Sequence, residues 1–280
     1  GSLEYFIDEG NNLNWFNSHK MVICLLMGIV FITFFIWRGL LGRSVVNFKL
    51  FKNFNFVISC TIVFTFMVAV TLSMAFYATF LQQGYGFPVD IAGYITAPRG
   101  MFAVLGGVIG GILCTKFDKR IILMVGLLLF SLGCWLETNF GTNWTLSTQL
   151  LVCAVIGLSM SMTFAPLMQV AFNGVSKALS NDAGGVFNFF RNIGNSVGTS
   201  IASTLISRNE QISWNDLSTH VNPFSNSLQQ MQNGILHGMP LQQQIIILAQ
   251  EVQSQAFLIA NINLFYLGAI ITLALCVLPL

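Results

Sequence analysis

"IAGYITAPRGMFAVLGGVIGGILC", residues 91–114, runs for 24 residues with one charge in it, Arg99. A helix of that length, rising about 1.5 Å per residue, crosses a hydrocarbon core about 30 Å thick. Gly106 and Gly110 follow Arg99 by seven and eleven residues, which at about 100° per residue places them within about 20° of its direction. Gly107 and Gly111 widen the strip into two overlapping GxxxG patterns that allow close backbone approach. Facing lipid at mid-depth would cost an arginine about 2.5 to 3.5 kcal/mol on insertion scales. Arg99 is therefore expected to point into protein or a water-filled path, with snorkelling to the near interface as the alternative. Pro98 removes one helical hydrogen bond and predicts a kink.

The rest of the chain repeats this pattern. Of its 280 residues 55% are apolar and 8% charged, and the mean hydropathy is +0.74. Apolar runs near 21–37, 56–80, 91–114, 121–137, 148–171, 183–206 and 256–280 predict seven membrane-spanning helices. The fold class is all-α, integral membrane. A net charge of +2 without basic tracts gives no footprint for nucleic acid. The six cysteines fall within or at the ends of apolar runs, with no disulfide framework or metal spacing.

Charge sets the expected direction. Arg38, Arg43, Lys49, Lys52, Lys116, Lys119, Arg120 and Lys177 lie in alternate connections, while the opposite ones collect most of the acids, Glu137 among them. By the positive-inside rule the N-terminus is outside and the C-terminus cytoplasmic. Residues 207–253 read as one long outer loop whose second part, "LQQQIIILAQEVQSQAF", is an amphipathic lead-in to the last span. Residues 38–56, mixing basic and aromatic side chains, read as a cytoplasmic interfacial segment, with a solvated linker as the alternative for both.

In the sixth span, Asn188, Arg191, Asn192, Asn195, Thr199 and Ser203 fall within about 60° of one direction at helical pitch. Such a stripe must face a polar cavity or another helix, because unpaired amides in hydrocarbon are costly. Substrate contact and interhelical hydrogen bonding both remain open for each Asn. Arg99 and Arg191 each stand ninth in their spans and each precede a glycine by seven residues, Gly106 and Gly198. Inverted three-helix repeats, spans two to four against five to seven, would produce that spacing, and so would coincidence. Pro166 predicts a kink in the fifth span, where Met160, Met162 and Met168 serve either packing or adaptable ligand contact.

No zinc-protease, nucleophile-elbow or phosphate-loop motif occurs, so no catalytic residue and no metal ligand is expected. A seven-helix receptor shares the predicted direction, but the last span has no lysine for a retinal Schiff base and no outer cysteine pair staples the loops.

The stretches "VVNFKLFKNFNF", "AGYITAPRGMF", "GGVIGGILCTKFDKR", "NFFRNIGNSVGTSI", "VNPF" and "QSQAFLIANINLF" cover nearly the whole chain in order. In them the chain resembles the C-terminal half of the EmrB/QacA-type major facilitators, 14-helix drug:proton antiporters. The resemblance implies two parts. Residues 1–55 would hold an outer segment, one extra transmembrane helix and a cytoplasmic linker, and residues 56–280 the C-terminal six-helix bundle.

The resemblance also implies alternating access, a proton gradient in place of any cofactor, and a bacterial inner-membrane location. The implied partners are the N-terminal half of the transporter, lipophilic small molecules and the lipid bilayer, with a periplasmic adaptor and an outer-membrane channel in a Gram-negative source. Arg99, Arg191, Asn188, Asn192 and Asn195 would line the substrate path, with Tyr77, Met160 and Phe164 as apolar contacts. Two exposed arginines would favour anionic or weakly acidic lipophiles. Asp118, Lys119 and Arg120 would form a degenerate version of the family's loop motif, as gating residues or a solvated turn, while Pro98, Gly106, Gly110, Pro166 and Gly198 would act as hinges.

Departures from the family pattern are also expected. The chain reads as a fragment, no Asp or Glu is placed deep in a span, no proton carrier is apparent, and Asn263 stands where some relatives carry an acid. A non-transporting membrane scaffold is the remaining alternative.

Overall fold

A computed structural model describes residues 5–6, 18–40, 48–139, 145–176, 179–220 and 241–278. These are helical almost throughout, with no strand among them. The seven long helices are α1 (His19–Leu40), α2 (Phe54–Met74), α3 (Val89–Lys116), α4 (Lys119–Thr138), α5 (Leu146–Ala171), α6 (Ser180–His220) and α7 (Leu241–Leu275). All seven expected spans are therefore present as helices. Among the described residues, five helical stretches are long and apolar enough to cross a membrane by length and composition: α2 with its extension to Gly84, α3, α4, α5 and the Ile246–Leu275 part of α7. The apolar run of α1 is shorter, ending at Phe34, and in α6 the polar stripe dilutes the hydropathy.

The helices form two layers. In the first, α3 packs on α5, α5 on α2 and α2 on α6; behind it α4 lies against α5, and α7 closes against α2, α6 and α4. Exchanging α2 with α5, α3 with α6 and α4 with α7 turns the α3–α5 contact into α6–α2 and the α4–α5 contact into α7–α2. The two-repeat logic suggested by spacing holds for these contacts and fails for α6–α7, whose counterpart α3–α4 has little packing. Small residues fix these crossings. A Cβ on Gly106 would run into the Leu158 carbonyl, one on Gly157 into the Arg99 carbonyl, and one on Gly198 would come 2.9 Å from Thr71 Cβ. Gly106 and Gly198 thus occupy matching places on α3 and α6, as close-packing points where a side chain would collide with the neighbouring helix. Gly110, 3.2 Å from Met162 Cα by the same measure, belongs with them.

Burial follows position in the layers. The apolar window of α2 is 67% buried and that of α3, at the rim, 22%. The start of α2 is capped by Asn53, whose Oδ1 accepts from the amides of Asn55 and Phe56 while its Nδ2 donates to the Asn173 carbonyl at 3.3 Å. Its far end is irregular: α-helix stops at Met74, a turn follows at Ala75–Phe76, and helix resumes through Tyr77–Thr79 into a π-helical turn at Phe80–Gly84. Pro98 and Pro166 lie inside the unbroken helices α3 and α5.

Of the stretch read as one long loop, 207–253, the described residues are helical, the second part as the amphipathic lead-in expected. Residues 207–220 continue α6, and 241–253 begin α7, where apolar residues recur at helical intervals. The intervening segment, including "VNPF", lies outside the described residues, as do Arg43 and Lys177. The segment expected along the interface contains a 3-10 helix at Phe48–Lys52.

Candidate functional site

Several buried polar side chains bond to their own helix, while Ser131 donates across to the Ala269 carbonyl of α7. Ser59 donates to the Asn55 carbonyl, Thr163 to Ser159, Asn261 to Phe257 and Thr272 to Gly268, which satisfies them without involving another element. One cluster behaves differently. Glu137, with no exposed surface, accepts a hydrogen bond from Arg99 Nη2 on Oε1 at 2.9 Å and one from the Ser73 hydroxyl on Oε2 at 2.8 Å. The Arg99 guanidinium carbon also lies 4.5 Å from the centroid of the Tyr77 ring. Cys153 donates its thiol to the Tyr77 oxygen at 3.3 Å. Side chains of α2 and α3 thus meet at a carboxylate of α4, and α5 joins the cluster through Cys153 and Tyr77.

The sequence places Glu137 in an outer connection; the structure corrects this and buries it inside the helix bundle. Glu137 stands next to last in α4, a helix of 20 residues, whereas Arg99 is ten residues inside α3, a helix of 28. At about 1.5 Å per residue the start of α3 therefore rises about 15 Å past the contact. A residue at the end of a short helix is sunk below the ends of longer neighbours. One signal was available: Leu127, Phe130, Cys134 and Glu137 continue one buried stripe along α4, while Leu128, Leu132 and Trp135 are exposed.

The expected path residues separate into two groups. Arg99 and Tyr77 are buried in the cluster and line no open path, because Arg99 is drawn to a charge partner unseen in the sequence. Phe164 is half-buried, packed edge-on against Phe66 with centroids 5.6 Å apart, and Met160 is half-buried near it in the core. By contrast Asn188, Arg191, Asn192 and Asn195 are all exposed along α6. Asn188 donates to the Gly184 carbonyl at 3.0 Å, and Asn195 Oδ1 accepts from the Thr71 hydroxyl at 3.4 Å, tying this face to α2. Behind the stripe, Gly194, Gly198 and Ala202 are buried. Arg99 and Arg191, matched by spacing, therefore have opposite environments, since the arginine of one repeat is paired and that of the other is open.

Asp118 precedes α4 as an exposed N-terminal residue without a side-chain cap hydrogen bond, Lys119 is half-buried and Arg120 exposed. Arg120 lines a cavity of about 350 Å³ with Phe54, Asn55, Ser59 and Val277. Asn263 is exposed on α7. No group of His, Cys, Asp and Glu side chains able to hold a metal occurs among the described residues.

A profile of the Major Facilitator Superfamily matches residues 15–199, well over half of the chain. The chain belongs to the Major Facilitator Superfamily. Among curated relatives it is 28% identical to the multidrug export protein EmrB of Haemophilus influenzae over 274 residues, 96% of this chain and 53% of that protein. It is 28% identical to EmrB of Escherichia coli K12 over 278 residues, covering 98% and 54%. Against the fatty acid resistance protein FarB of Neisseria gonorrhoeae it is 25% identical over 283 residues, covering 98% and 55%. The chain spans about half the length of these relatives, in agreement with the likeness to the C-terminal half of EmrB/QacA-type exporters. A major facilitator with several membrane-length helices is a multi-pass membrane protein and a transporter in class.

Proposed function

We propose that this chain forms one half of a proton-driven multidrug exporter that works by alternating access. The supporting observation is α6: it sits at the edge of the four-helix layer and presents Asn188, Arg191, Asn192 and Asn195 outward, although it packs among membrane-length helices. Amides and a guanidinium there need a hydrated cavity or a second bundle opposite them. A companion six-helix bundle facing this layer, from the other half of a relative-sized protein, supplies both. Lipophilic compounds would bind between the bundles, with the α6 stripe as the polar wall and Met160 and Phe164 as the apolar one. The relatives' names, multidrug export and fatty acid resistance, support lipophilic substrates. With Arg99 neutralised, Arg191 alone would favour weakly acidic ones.

The protein would reside in a bacterial inner membrane with its N-terminus outside and its C-terminus cytoplasmic, as its basic connections indicate. A periplasmic adaptor and an outer-membrane channel complete the export route if the source is Gram-negative. The test is drug susceptibility of a hypersensitive strain expressing the native reading frame. Arg191→Leu and Asn192→Leu should lower resistance while membrane abundance holds. Unchanged resistance in both would remove the stripe from the substrate path.

A further inference from the structure

The Glu137 cluster has a construction that a purely structural ion pair does not need. An arginine–carboxylate pair built for strength is usually bidentate. Here one carboxylate oxygen takes one guanidinium nitrogen, and the other goes to Ser73. Arg99 Nε is buried without an acceptor, and Gln149 Oε1, one helical turn before Cys153 on α5, is buried without a donor. Both forms of Glu137 have a partner, because the Ser73 hydroxyl can donate to a carboxylate or accept from a carboxylic acid. Arg99 likewise keeps a contact when the carboxylate loses its charge, since the Tyr77 ring face lies under it.

The groups facing Glu137 are few. Arg99 from α3 and Ser73 from α2 bond to it, and Tyr77 from the α2 extension, Cys153 from α5 and Cys134 on α4 itself are the other titratable groups near it. Arg99 is the one charged group among them. Ser73 and Tyr77 also flank the irregular turn of α2, so the Ser73–Glu137, Tyr77–Arg99 and Tyr77–Cys153 contacts all hang on the least regular part of that helix.

We infer that Glu137 is the proton-exchange site of this half of the transporter, with Arg99 as its fixed counter-charge. The inference rests on the proton-driven reading above. In the exchange step the carboxylate takes a proton from a hydronium ion and leaves water. One O–H bond forms on Glu137, one breaks on the hydronium, and Arg99 keeps all its protons. The cluster passes from neutral to singly positive, and its ionic link to α3 is reduced to a neutral hydrogen bond while Tyr77 retains the guanidinium. Release of the proton reverses each change. Protonation thereby alters how strongly α3 is held to α4, a contact that otherwise has little packing between those two helices.

Infrared difference spectroscopy on the whole chain in lipid bilayers, comparing alkaline with mildly acidic conditions, tests this. A carboxylic C=O band should grow on acidification, disappear in Glu137→Gln and persist in Glu251→Gln, whose carboxylate is exposed. If Glu137→Gln does not fold, Ser73→Ala decides: removing one hydrogen-bond partner should shift the band without abolishing it. No such band, or a band indifferent to both Glu137→Gln and Ser73→Ala, overturns the assignment and leaves a permanently ionised staple. Export retained by the native protein without the band counts against the site alone. A normal band with no export by that protein counts against the exporter reading instead.

Discussion

Removing the Arg99 side chain leaves the Glu137 carboxylate buried with the Ser73 hydroxyl as its remaining donor, and removing Glu137 leaves a guanidinium held by a ring face. Breaking a buried ion pair from one side typically costs about 3 to 5 kcal/mol, whereas replacing both partners with apolar groups can be nearly neutral. Arg99→Leu and Glu137→Leu should therefore each lower the thermal unfolding midpoint of the purified chain in detergent, and the double variant should recover most of the loss. Additive losses in the cycle would mean that the two side chains are not energetically coupled. At this scale Glu137 was misread because its neighbours in sequence are loop-like, although its helical stripe, Leu127, Phe130 and Cys134, is core.

At the scale of the element, glycine spacing carries the α3–α5 crossing. Gly106 meets the Leu158 backbone, so Gly106→Val should push the helices apart and remove most of the monodisperse protein on size-exclusion chromatography. Gly111 lies on the same helix with nothing within 4 Å of a Cβ placed there. Gly111→Ala should leave the yield unchanged or raise stability by roughly 0.5 to 1 kcal/mol, from reduced backbone entropy of the unfolded chain. The GxxxG strip of α3 was legible from sequence alone because helical pitch fixes which residues share a face. Which of its two glycine lines meets a backbone was not, since that depends on where α5 lies.

For the whole molecule, the two-layer arrangement separates a buried arginine from an open one. In a background with the six cysteines replaced, single cysteines at Arg191 and Asn192 should react quickly with a water-soluble maleimide, and cysteines at Arg99 and Tyr77 should react slowly or not at all. Comparable labelling at all four positions would contradict the burial of the cluster. The scheme that exchanges α2–α4 with α5–α7 holds for the α3–α5 and α2–α6 crossings and for their glycines, and it fails for the α6–α7 packing and for the arginines, so the halves share part of a frame and differ in chemistry.

Sequence by itself determined the seven helices, the polar stripe of α6, the close-packing glycines and the family likeness, because each depends on helical pitch, span length or residue order. Only the tertiary structure decided that Glu137 is internal, that Arg99 is its partner and that residues 207–220 continue α6. An ion pair between residues 38 positions apart depends on the relative lengths and offsets of separate helices, and those are set when the bundle packs.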